Sequence, residues 1–137
     1  MKVTRILVVL FVLTAVLFSL TACGNGGGSA LNPKFQPQVA NLADNFQFQS
    51  TAVTNVTETL TYKWTNSGIA ATVDQATSVT TGQAVIAIKD AAGVQVYSAG
   101  LQNNGTFDTA TGQTGSWTII VQLTNYSGTI NFRVQKK

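Results

Sequence analysis

Histidine is absent from the 137 residues, cysteine occurs once, proline twice, and charged side chains make up only 9% of the chain. Each shortage removes a class of chemistry. Without imidazole there is no ordinary general base for a serine or cysteine nucleophile, and the commonest zinc ligand is missing. One thiol, Cys23, cannot pair within its own chain or build a zinc or iron–sulfur cluster. The five acids, Asp44, Glu58, Asp74, Asp90 and Asp108, are dispersed, with no D-x-D-x-D-G run to wrap calcium. Backbone and amide carbonyls keep a loop-bound calcium open as an alternative, but the reading is that the chain carries no cofactor. No S-x-x-K is present, and hydrolysis by two carboxylates requires a pair within about 5–10 Å, which five dispersed acids leave open but do not support. The expected class is therefore non-enzymatic, with a hydrolase as the lesser alternative.

Charge is equally sparse. The net charge of +3 includes Lys2 and Arg5 at the extreme N-terminus; the remainder has six cations against five acids, so the body is nearly neutral. No basic stripe interleaved with aromatics occurs, which argues against nucleic acid as a partner.

Lys2 and Arg5 precede an apolar run from Ile6 to Leu20, which ends in the small residues Thr21 and Ala22. Charge, apolar core and small residues in that order make a secretory signal, and about 15 apolar residues fall short of the roughly 20 that span a bilayer. Leu20-Thr21-Ala22-Cys23 resembles the lipobox of bacterial lipoproteins at every position. That resemblance implies removal of residues 1–22 by cleavage between Ala22 and Cys23, and a diacylglyceryl group on the Cys23 thiol. Each buried methylene contributes about 0.8 kcal/mol, so two or more acyl chains anchor stably where one is marginal. The expected address is extracytoplasmic and lipid-anchored in the cell envelope. With Gly24 after the cysteine, it is the outer membrane if the host has two.

Residues 23–40 read as a tether: "GNGGG" from Gly24 to Gly28 has nothing to bury, and Pro33 and Pro37 resist helix. Residues 41–137 read as one domain with a period of two. Leu60, Tyr62 and Trp64 share a face in "ETLTYKW", as do Trp117, Ile119, Val121 and Leu123 in "WTIIVQL" and Ile130, Phe132 and Val134 in "TINFRV". β-Branched residues are abundant and no helical stripe appears. The expected fold is all-β, a single immunoglobulin-like or jelly-roll sandwich of seven or eight strands. Two hairpins are predicted, one turning at "KDAAGV" through Asp90 and Gly93, the other at "TNYSGT" with Gly128 in the left-handed region.

Three pieces, "IKDAAGVQVYS", "GSWTIIV" from Gly115 and "SGTINF" from Ser127, resemble the C-terminal half of bacterial pre-peptidase C-terminal and related jelly-roll modules. An apolar "AVIAI" replaces their acidic alternating strand, and Trp117 stands where Tyr is usual. The resemblance implies a sandwich that assists secretion or binds.

Trp64 and Trp117 sit among aliphatic neighbours and are expected in the core. Tyr97, Tyr126 at the second hairpin tip, and Asn103 and Asn104 in the polar stretch Gly100–Ser116 are the candidate binding surface. The glycines of that stretch do not make a phosphate loop, since a strand and no helix follows. The sequence thus predicts a lipid-anchored binding module for an envelope protein, glycan or cell-wall component; the alternative is an assembly accessory that pairs through a sheet edge.

Overall fold

Period-two stretches do fold as strands in the computed structural model, which describes residues 35–137, but two of them are far longer than expected. The order is β1 Gln38–Leu42, β2 Asn45–Asn66, β3 Ala71–Gln75, β4 Ser78–Lys89, β5 Gln95–Gly100, β6 Gly105–Asp108 and β7 Gly115–Lys136, with no helix among the described residues. All pairings are antiparallel within one seven-stranded sheet. Cys23 and Ala22 lie outside the described residues. Ahead of the expected domain start at Asn41, Phe35 is buried and β1 opens at Gln38.

A straight strand of 22 residues would be about 70 Å long. Instead, β2 returns on itself. The Asp44 amide just before it donates to the Thr65 carbonyl near its end at 2.8 Å, and the rings of Phe46 and Tyr62 pack at 5.4 Å. β7 follows it in register along nearly its whole length, from Asn45 opposite Gln135 to Asn66 opposite Gly115. β3 and β4 together run beside β7, and β5 and β6 run beside β4 and β3. The sheet therefore folds over a corner into a β-sandwich. One layer holds β1, the first part of β2, the last part of β7, β3 and β6. The other holds the second part of β2, the first part of β7, β4 and β5.

The corner is made of bulges. A bulge inserts one extra residue, bends the strand and restores the inward face at a spacing of three. In β2 the buried positions run Phe46, Phe48, Ser50 and then Val53 and Val56, with register shifts between them. Ala52 and Asn55, each preceding an inward valine, have positive φ of 54° and 49°. β7 makes the same step from Leu123 to Tyr126 through Asn125, at φ 46°. In β4 Gly82 takes φ 75°, where an added Cβ would stand 2.2 Å from the Asn125 carbonyl oxygen.

The "KDAAGV" hairpin forms as expected between β4 and β5, with Gly93 at φ 83°. The second predicted hairpin does not form: β7 continues through "TNYSGT" without reversing. Asn125 and Gly128 supply positive φ there, but residues that tolerate it can bend a continuing strand as well as reverse one. Likewise the stretch Gly100–Ser116 is not a loop throughout, because β6 lies inside it and pairs with β3.

Phe46, Phe48 and Phe132 stack between the layers, and Trp64 faces Trp117 edge-on at 5.9 Å. Both indoles are buried, as expected, with N–H donated to the Leu42 and Gln113 carbonyls. Three acids fasten the end opposite the corner. Asp44 accepts from the Ser67 amide and hydroxyl and from Lys136; Asp108 pairs with Lys137; Asp90 accepts from the amides of Ala92, Val94 and Gln113.

Candidate functional site

The four residues expected to form a binding surface do gather, around the corner, but mostly as fasteners. Tyr126 is fully buried, and its hydroxyl lies 3.1 Å from the Ser78 and Thr129 carbonyls. Its place at a hairpin tip is corrected with the hairpin itself: the extra residue at Asn125 turns the ring inward. Tyr97 is half-buried on β5 against Phe107, and a 2.6 Å hydrogen bond joins its hydroxyl to the side-chain amide of buried Gln75. Burial pushes both phenols above the ordinary tyrosine pKa. The Gln75 amide nitrogen turns toward the carbonyls of Gly100, Leu101 and Asn103, within 3.3 Å. Asn104 accepts from the Thr77 amide at 2.7 Å and donates to the Thr77 carbonyl at 3.0 Å, a side chain standing in for one rung of a ladder. Asn103 and Asn104 are both exposed, but Asn104 is committed to the Thr77 backbone, whereas Asn103 stands in the loop before β6.

The surface with the most to offer lies elsewhere, on the outer side of the layer containing β1, β2, β7, β3 and β6. Strand pleating sends Phe46, Phe48, Ile130, Phe132 and Val134 inward, and therefore sends Gln47, Gln49, Asn131, Arg133 and Gln135 outward. Register aligns them in rows across the strands. Ala40, Gln47, Arg133, Asp74 and Thr106 form one row, and Gln38, Gln49 and Asn131 form the next. Five strands at about 4.8 Å make a face roughly 20 Å across.

Two shallow, open depressions lie on this face. One, of about 260 Å³, is lined by Gln38, Val39, Ala40, Gln47 and Gln49. The other, of about 360 Å³, is lined by Asp74, Gln75, Ala76, Gly105, Thr106, Asn131 and Arg133. Asp74 accepts from the Thr106 hydroxyl at 2.6 Å, and Arg133 enters neither ion pair found among the described residues. Amide side chains both donate and accept, and the guanidinium offers a planar fork of donors. Such a face can hydrogen-bond a hydroxyl- or amide-bearing polymer along its length. Neither depression is a closed pocket that would bury a small substrate. Among the described residues no three acids or thiols converge on a common point.

None of these residues lies in a predicted turn or is an aromatic, the two features that marked the expected surface. Their signal was in plain view: in "FQFQ" and "INFRVQ" every outward position is an amide or arginine. Comparison with protein-family models, curated proteins and solved structures found no match to this chain.

Proposed function

We propose that the protein is a lipid-anchored, non-enzymatic binding module of the bacterial cell envelope, and that its ligand is a polar glycan or wall component lying across the amide-rich face. The single observation carrying this reading is that both depressions open on one face, between rows of Gln, Asn and Arg side chains in register. Planar polar side chains in a flat array suit repeated hydroxyls, and a ligand spread over several strands gains many modest hydrogen bonds in place of one deep pocket. The lipobox at Leu20–Cys23 supplies the address, with the glycine-rich segment as spacer.

Two substitutions test the two halves separately. Cys23→Ser moves the protein from the membrane to the soluble fraction and removes the acyl mass from the mature chain; continued membrane association overturns the anchor. Replacing Gln47, Gln49 and Arg133 together by Ala lowers binding to envelope glycans or isolated wall at least tenfold while leaving the melting temperature within a few degrees, since none of the three is in the core. Unchanged binding would remove this face from consideration.

A further inference from the structure

The second part of β2 is an edge. β7 pairs with one side of it, and β1 pairs only with Asn45–Gln49, so among the described residues no strand lies against the other side of Thr57–Tyr62. The orientation of its backbone follows from parity. Lys63 and Thr65 offer their carbonyls away from β7, to the Asn41 side chain at 2.8 Å and the Asp44 amide at 2.8 Å. In an antiparallel ladder alternate residues point the same way. Thr59 and Thr61 therefore direct N–H and C=O out of the sheet, and both residues are exposed. Such a row is a template for another strand unless something blunts it. Here no proline or bulge interrupts Glu58–Lys63, and Val56/Glu58 and the Asn41–Asp44 cover set its two limits.

The sequence of this edge is nearly its own mirror: Thr57-Glu58-Thr59-Leu60-Thr61-Tyr62-Lys63. Reversed about Leu60, threonine meets threonine, Glu58 meets Tyr62, Thr57 meets Lys63 and Leu60 meets itself. We propose that two copies of this chain pair antiparallel through this edge, about a two-fold axis at Leu60. From Glu58 to Tyr62 the cross-strand pairs are chemically matched. Thr59 and Thr61 form the hydrogen-bonded pairs, and threonines opposed on one face are favourable neighbours. The Tyr62 hydroxyl can donate to the Glu58 carboxylate of the other copy. Burial, followed by the nearby Glu58 charge, pushes the Tyr62 pKa up to about 12, so the phenol keeps its proton at neutral pH. Leu60 with Leu60 is the close, non-hydrogen-bonded pair. The contact is isologous and closes on itself, so it stops at two copies. This inference does not rest on the glycan reading, whose face is elsewhere on the molecule.

The axis makes a sharp test. Leu60→Cys puts two thiols on Cα atoms about 4.5 Å apart, inside the range a disulfide spans. In the full chain, purified in mild detergent and carrying Cys23→Ser so that no other thiol is present, mild oxidation is expected to give a covalent dimer of Leu60→Cys; the Cys23→Ser chain with Leu60 intact is the control and stays unlinked. Because Leu60 also packs in the core, a second variant guards the result. Thr61→Pro removes an N–H that points away from β7, so the ladder survives and circular dichroism stays β. Its dimer dissociation constant, by analytical ultracentrifugation, rises at least tenfold. A wild type that remains monomeric at millimolar concentration, Thr61→Pro dimers as tight as wild type, or growth beyond dimers each overturns the proposal. So do Thr59 and Thr61 amides that exchange slowly even at high dilution, which would place a segment of the same chain on the edge.

Discussion

Tyr126 shows how one side chain changes meaning with its surroundings. In the sequence it stands beside Asn125 and Gly128 in a run of turn formers; in the fold it is the plug under the corner, with two backbone carbonyls around its hydroxyl. Removing the hydroxyl leaves those carbonyls short of a donor in a place water does not reach. Tyr126→Phe is expected to cost about 1–3 kcal/mol, read by urea denaturation, with glycan binding unaffected. Asn104 has the same double nature. An exposed asparagine in a polar stretch reads as a recognition residue, yet both ends of its amide are committed to the Thr77 backbone. Residue type alone does not separate the two roles, because the chemistry that recognises a ligand is the chemistry that mimics a ladder.

At the scale of the element, the corner decides the architecture. Two consecutive triplets, Thr51-Ala52-Val53 and Thr54-Asn55-Val56, each spend three residues between inward positions, and the middle residue of each takes positive φ. Asparagine tolerates that region, whereas alanine is strained by roughly 1–2 kcal/mol. Ala52→Gly should therefore stabilise the fold by about 0.5–1 kcal/mol after the greater chain entropy of glycine is set against the relief of strain. Gly82→Ala should do the reverse, by roughly 2 kcal/mol or more, since its methyl would overlap the Asn125 carbonyl; thermal melts of the two variants should move in opposite directions. The strands were legible from their period of two. Their bending was not, because a residue able to adopt positive φ serves a tight reversal and a bulge equally well. The distinction lies in whether partner strands continue alongside, and here β2 and β4 both do.

For the whole molecule, the end opposite the corner is held by carboxylates. The Ser67 amide holds Asp44 below the usual carboxylate range, the Gln113 amide does the same for Asp90, and the Lys137 ammonium for Asp108. The folded state thus binds these protons less tightly than the unfolded chain, whose Asp groups titrate near 3.8. Their contribution is complete above that pH and is lost as pH falls through the lower, folded values. Melting temperatures should accordingly hold steady down to about pH 4 and then drop. Asp90→Asn should melt lower than wild type at neutral pH and lose less on acidification; equal slopes would show that Asp90 does not link folding to pH. With no histidine in the chain, no comparable change is expected between pH 5 and 8.

By itself the sequence determined the all-β class, the burial of Trp64 and Trp117 and the hairpin at Asp90–Gly93, because alternation of apolar and polar residues and local turn chemistry act over a few neighbours. It also carries the resemblance to a lipoprotein signal at Leu20–Cys23, which is read as a linear motif. Only the tertiary structure decided that β2 and β7 are single strands folded over a corner, that Tyr126 and Asn104 are structural, and that Gln47, Arg133 and Asp74 stand in one row. Those facts depend on register between segments tens of residues apart. Register is set by how the two layers close on a common core, which no local stretch encodes.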